Sequence, residues 1–193
     1  MTKKTRALCI VAHPDDETIW MGGTIMKNRS WKWTILSLCR RDDTDRMPKF
    51  RKVCAFYDAD AIISNLDDYK LKPLKIKDIE DKIKSELSNI EYDYIYTHGE
   101  NGEYGHLRHR EIHKAVKSLV RKKELKCEKL FFFSYDIKED NRIPEIVEGD
   151  FKVELNKQEL RTKQKLVTQY YGFKDDSFEA LSSCGKEAFV YLR

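Results

Sequence analysis

The chain has 193 residues, 40% hydrophobic and 36% charged, with 37 basic against 33 acidic side chains and a net charge of +4. It is long enough to bury a sizeable core as one domain spanning 1–193, and its basic residues are interspersed with acids, so no stripe suited to nucleic acid stands out. The five cysteines are odd in number, widely spaced and without a CxxC pair, which excludes a disulfide framework; no apolar run approaches a membrane span of roughly 20 residues or forms a signal peptide, so a cytoplasmic location is the default expectation.

In chain order, Arg6 to Val11 reads as a strand that finishes at His13, because the residue before Pro14 is biased to extended geometry. Asp16 to about Arg29 reads as a helix with acids in its first turn, where the dipole favours them, and with Gly22-Gly23 permitting close packing. Trp33 to Cys39 is a second strand, Phe50, Val53, Cys54 and Tyr57 recur at helical spacing, and Ala61 to Ser64 is a third strand. Ile79, Ile83, Leu87 and Ile90 mark a helix opened by Asp78 as N-cap, and Tyr92 to Thr97 is the next strand. Gly99 to Gly105 follows as a mobile substrate loop, since its GxxGxxG spacing is neither the dinucleotide nor the phosphate-loop fingerprint.

Ile112, Val116, Leu119 and Val120 define a further helix, Leu130 to Tyr135 a strand, Asp140 to Phe151 a polar loop, Leu160 to Tyr171 a helix closed by Gly172, and Ala188 to Leu192 a last strand. The alternation predicts an α/β, Rossmann-like doubly wound sheet, mostly parallel, with helices on both faces. Ligands bind outside the carboxyl ends of the strands in such sheets, and both histidine-rich motifs fall there.

The first motif is His13-Pro14-Asp15-Asp16-Glu17, at a strand-to-helix turn. His13 and Asp16 are three apart, so the first helical turn brings an imidazole and a carboxylate to one ion while Asp15 remains free as a base. The second is Tyr104-Gly105-His106-Leu107-Arg108-His109. With His109 as third ligand the set is two histidines and an aspartate with one open position, the composition of a catalytic zinc site. Zinc lowers the pKa of a bound water to about 7, Asp15 can take its proton, and His106 and Tyr104 can stabilise an oxyanion, with His106 also able to protonate a departing amine. His113, four residues beyond His109, makes a rival ligand pair and is placed in a supporting role; His98 reads as a packed or solvated histidine outside the site.

These residues resemble the LmbE-like, or PIG-L, family of N-acetylglucosaminyl deacetylases, marked by Ala12-His13-Pro14-Asp15-Asp16-Glu17 after the first strand and a later His106-x-x-His109. Gly22-Gly23-Thr24, Arg46, Tyr104-Gly105-His106 and, more faintly, Lys163 to Tyr170 and Glu187-Ala188-Phe189 extend the likeness. The resemblance implies zinc, with iron or cobalt as substitutes, bound by His13, Asp16 and His109. It further implies Asp15 as general base, His106 as electrostatic helper or acid, Tyr104 polarising the substrate carbonyl and Arg46 contacting substrate. The implied partner is an N-acetylated amino sugar, as a glycan, glycolipid or glycoside; the alternatives are a zinc amidase acting on another acylamino sugar or a non-sugar amide, and a Rossmann-like binding module without catalysis. Two departures stand out. Trp20 occupies a position that is often small, and Arg108 stands where many relatives place an aspartate that hydrogen-bonds the helper histidine, so Arg108 is expected to depress the pKa of His106.

Overall fold

Seven strands form one sheet in the order β3-β2-β1-β4-β5-β9-β8 in a computed structural model that describes residues 3–138 and 142–192. β1 (Arg6–Val11), β2 (Lys32–Ser37), β3 (Asp60–Ile63), β4 (Glu91–Thr97) and β5 (Lys126–Phe133) are parallel. β9 (Lys186–Tyr191) runs antiparallel to β5, and β8 (Phe151–Glu154) antiparallel to β9. A second, two-stranded sheet pairs β6 (Tyr135–Asp136) with β7 (Glu145–Ile146).

Alternate residues of β1 feed two cores. Ala7, Cys9 and Val11 face the side covered by α1 (Asp16–Lys27) and α2 (Arg46–Phe56), while Leu8 and Ile10 face the side covered by α3 (Ile76–Glu86) and α5 (Leu107–Arg121). Burial on both faces explains why β1 reads as an unbroken apolar run. From β1 the order steps outward to β2 and β3, after which the chain returns to lay β4 on β1's other edge. The connections leaving β1 and β4 therefore diverge, and a crevice opens at their carboxyl ends, the usual ligand position in doubly wound sheets.

Gly22 and Gly23 do allow close packing. A Cβ at Gly22 would lie 2.8 Å from the Tyr57 hydroxyl, and one at Gly23 2.2 Å from Leu155 Cδ2. The helix kinks at Met21 (φ −147°, ψ 16°), and the donors exposed just beyond are collected by buried Glu187, which accepts from Gly23 N and Thr24 N, each at 2.7 Å. Lys163 Nζ completes this anchor at 2.7 Å from Glu187.

Several elements differ from expectation. α3 opens at Ile76 after Lys75, so Asp78 sits in the first turn and does not cap the helix. The helix ends at Glu86 because Leu87 is already extended, leaving Ile90 in the approach to β4 and 44% exposed. In the span Asp140 to Phe151, expected to be a polar loop, residues 140 and 141 lie outside the described residues, whereas β7 occupies Glu145–Ile146 and β8 begins at Phe151. The last long helix starts earlier, as α6 (Lys157–Lys165), because Asn156 and Glu159 form a capping box. It runs into a π turn, Leu166–Tyr170, before Gly172 at φ 83°. The described cysteines are all unpaired, three of them buried.

Candidate metal centre

The turn after β1 is held in a conformation that few residues adopt. Asp15 has φ 120°, a strained value for a residue with a side chain. Its N–H donates to Glu17 Oε2 at 3.1 Å, and its carbonyl accepts from Thr18 N and Ile19 N. Glu17 is fully buried and in turn accepts from the hydroxyls of Thr18 (2.6 Å) and Tyr171 (2.7 Å). The motif's glutamate therefore anchors the turn and does not face the crevice. β4 delivers His98, and after the glycine-rich segment α5 begins at Leu107, with His106 just before it and His109 in its first turn.

His13, Asp16 and His109 come together. His13 Nδ1 to Asp16 Oδ2 is 3.3 Å, His109 Nε2 to Asp16 Oδ2 is 3.4 Å, and His109 Nε2 to His13 Nδ1 is 3.3 Å. A tetrahedral ion with bonds near 2.0–2.1 Å requires donor-to-donor edges of about 3.3–3.4 Å, so this triangle fits three corners of a tetrahedral zinc site. The atoms pointing away from the triangle are also fixed. His13 Nε2 lies 3.0 Å from Asp68 Oδ2, His109 Nδ1 2.7 Å from Glu103 Oε2, and Asp16 Oδ1 accepts from the Trp20 indole at 3.0 Å. Such outer partners orient metal ligands and fix their tautomers.

Charge follows this geometry. Burial opposes ionisation of Asp16, but His109, His13 and His98 facing it hold its carboxyl well below the usual range. Burial likewise opposes a proton on His13, yet the bonds to Asp16 and Asp68 outweigh it and raise the imidazole to about 10. His109 is lowered by burial and by the neighbouring His98.

Other donor sets lie near, His13 with His106 and His109 among them, and two of them are weaker. Asp16, His98 and His109 also cluster, but His98 Nε2 already accepts the Ala12 N–H at 2.9 Å, so its lone pair is used. His13, Cys39 and Asp68 form another group, but the Arg40 guanidinium sits 2.9 Å from Asp68 and already takes up its charge, and burial raises the Cys39 thiol, so an ion there would have to displace both a guanidinium and a proton. His113 is no rival ligand. It stands behind His98, its Nδ1 3.0 Å from the His98 carbonyl and its ring against Phe132.

Asp15 is buried and pairs through Oδ2 with Arg46, whose guanidinium stacks 4.8 Å from the Phe173 ring. Burial and Asp16 raise the Asp15 carboxyl well above the ordinary range, with Arg46 pulling against them. Arg46, expected to contact substrate, thus reaches the site but spends its charge on Asp15. Tyr104 packs beside His109 and His106, and burial keeps its phenol protonated. His106 has a buried Nδ1 without a hydrogen-bond partner. Burial and the adjacent His109 and His13 lower it to about 4, so it is uncharged at neutral pH. These groups line a cleft of about 180 Å³ with Trp20, Arg40, Asp68 and Phe178.

The expectation for Arg108 is corrected. Its side chain is fully buried, ion-paired with Glu111 and donating to the Lys72 carbonyl at 3.2 Å, and the lowering of His106 comes chiefly from burial, His109 and His13. Because Glu111 Oε1 also accepts Leu74 N at 2.9 Å, the pair ties the segment after Asp68 to α5. The glycine-rich segment is not an open loop either: Glu103 is buried within a short helical turn, α4 (Gly102–Gly105), and bonded to Gly99 N at 2.7 Å. Sequence reading missed Glu103, Asp68 and the structural part played by His98. No motif carries the first two, while the placement of His98 at the end of a parallel strand was a usable signal.

An α/β fold with an acid-and-histidine pocket at the carboxyl ends of its parallel strands defines the class to which the chain is assigned. The chain belongs to the PIG-L family, described as GlcNAc-PI de-N-acetylase, whose family model matches residues 8–120. An uncharacterized protein of Acanthamoeba polyphaga mimivirus is 25% identical over 132 residues, 58% of this chain; the match spans 57% of that relative's length. Among solved structures, an N,N'-diacetylchitobiose deacetylase from Pyrococcus horikoshii superposes with a TM-score of 0.73 at 15% identity, covering 97% of this chain and 84% of the other. A deacetylase of teicoplanin biosynthesis, in complex with teicoplanin, gives 0.70 at 11% identity, covering 98% and 100%. At these identities the likeness establishes a shared fold. No helix among the described residues is long and apolar enough to cross a membrane.

Proposed function

We propose that this protein is a metal-dependent amide hydrolase that removes the acetyl group from an N-acetylated amino sugar of the N-acetylglucosamine type, carried on a glycan, glycolipid or glycoside. The observation that carries the reading is the near-equilateral triangle of His13 Nδ1, Asp16 Oδ2 and His109 Nε2 at the wall of a cleft also lined by Asp15. The donor set suits zinc, with iron or cobalt able to replace it, and such an ion supplies a Lewis acid and a water acidic enough to be activated near neutral pH.

The chain's own groups supply the rest. Asp15, whose carboxyl is raised above its ordinary range by burial and by Asp16, accepts a proton more readily than an exposed aspartate would, and Arg46 fixes the orientation of its carboxylate. Tyr104, held protonated, donates to the carbonyl oxygen as charge develops there. His106 starts uncharged and so acts as a hydrogen-bond partner at rest; it protonates the departing amine only after receiving a proton during turnover. A cleft of about 180 Å³ is below the roughly 300–1,000 Å³ of pockets that engulf a drug-sized ligand. It suits an acetamido group, with the sugar lying across the mouth.

The test is metal analysis of the purified protein combined with acetate release from a panel of N-acetylated sugars, other acylamino sugars and simple amides. One divalent ion per chain with acetate released from the N-acetylglucosamine compounds is the expected result. Release only from the other amides transfers the reading to a different amidase, and a metal-loaded protein that hydrolyses none of them is a binding module.

A further inference from the structure

Glu103 belongs to neither motif, yet it carries a fully buried carboxylate beside the site. Its backbone has φ 60° and ψ −50°, between Gly102 at φ 72° and a non-helical Tyr104. Glycine would occupy that region without penalty, whereas glutamate does so under strain. Its carboxylate is fully buried, and its bonds go to one backbone amide, Gly99 N, and to two imidazoles. Oε2 lies 2.9 Å from His98 Nδ1 and 2.7 Å from His109 Nδ1, with the two rings stacked at 3.8 Å.

An ionised carboxylate only accepts hydrogen bonds, so both histidines must carry their proton on Nδ1 and offer a lone pair at Nε2. His109 directs that lone pair toward Asp16 and His13. His98 spends its own on the Ala12 N–H at 2.9 Å, immediately before His13. One carboxylate thereby governs two corners of the triangle from two different strand ends.

We propose that Glu103 is a positioning residue for the metal centre, fixing His109 in the tautomer that presents Nε2 to the ion and, through His98 and the Ala12 amide, fixing the backbone that carries His13. This rests on the reading that His13, Asp16 and His109 hold the metal. Strain and a buried charge recur at functional positions because the surrounding structure is built to hold them, and here what they hold is a tautomer.

The experiment has three measurements. Long-range nitrogen–proton NMR of metal-free wild-type protein reads both tautomers directly, and His98 and His109 are expected with the proton on Nδ1; either one found with it on Nε2 overturns the role without any variant. Zinc dissociation constants by chelator competition are then compared for wild type, Glu103→Gln and Glu103→Gly, the last chosen because its backbone suits glycine and so guards against misfolding. Binding should weaken by about 10–100-fold in both, with an altered visible spectrum of the cobalt-substituted protein and mixed His109 tautomers. Zinc bound as tightly as by wild type, in a folded variant, overturns the proposal. His109→Ala separates the two levels: loss of zinc in it sustains the ligand reading whatever Glu103 does, and retention of zinc overturns that reading and this role with it.

Discussion

Zinc binding to the metal-free protein should be coupled to the release of about one proton per ion at pH 6, and His13 is its source. Asp16 is already ionised there, because its carboxyl is held well below the usual range. His109 holds its proton less firmly than an ordinary histidine, because burial and His98 lower it. His13 alone is raised, to about 10, by its bonds to Asp16 and Asp68. At pH 7 the three-unit gap makes displacement of this proton cost about 4 kcal/mol of apparent affinity, and affinity should climb about tenfold per pH unit between pH 6 and 7. Calorimetry in two buffers of different ionisation enthalpy counts the proton. The sign for stability is the complement: a pKa raised above its unfolded value stabilises the metal-free fold fully below about pH 6.5 and ceases to do so as pH rises through about 10. Metal-free protein should therefore lose stability across that window. Asp68→Asn, which removes one of the two carboxylates holding the proton, should bring the loss to lower pH. Zinc uptake at pH 6 without proton release, or affinity flat between pH 6 and 7, refutes the assignment of His13.

Asp15→Asn should lower turnover by about 10²-fold or more with zinc content unchanged, since the amide keeps the shape of the side chain but cannot take a proton; parallel metal analysis and kinetics check it. Glu187→Gln leaves the buried Lys163 ammonium without its charge partner and should cost about 3–5 kcal/mol, or about 6–20 °C in melting temperature for a chain of this size. Adding Lys163→Met should recover part of that. Arg108→Asp should depress the melting temperature, because a second carboxylate would meet buried Glu111, while the alkaline limb of the kcat/KM profile stays in place.

How much of this was legible beforehand depends on the range over which each interaction acts. The parallel strands were legible because burial on both faces leaves continuous apolar runs, as in Leu8 to Val11. β8 was not: it is an edge strand with one buried side chain, Val153, between exposed Lys152 and Glu154, a pattern that local periodicity cannot separate from a loop. The proximity of His13, Asp15, Asp16 and His109 followed from strand ends and helix starts. The distant partner Asp68 did not, because it lies 55 positions from His13, nor did the anchor of α1, where Glu187 lies 164 positions from Gly23; no local pattern marks such pairings. Arg108 shows the converse error. Adjacency in sequence to His106 suggested an electrostatic link, but the start of α5 turns its side chain toward Glu111 and the Lys72 carbonyl.

The position of the site is itself a consequence of strand order. β1 and β4 are neighbours, yet the chain leaves β1 toward β2 and reaches β4 only after completing the β3 edge, so the two exits part and leave a crevice between them. Asp15 and Glu103, both with positive φ and a charged side chain, lie on those two exits. Strain at such positions has to be sustained by surrounding bonds, and both have them: Glu17 and the Thr18 and Ile19 amides hold Asp15, while Gly99, His98 and His109 hold Glu103. The two strained turns converge on the His13, Asp16 and His109 triangle, since the first carries Asp15 between His13 and Asp16 and the second bonds His109 through Glu103. Relaxing either turn should therefore loosen the same site from opposite walls.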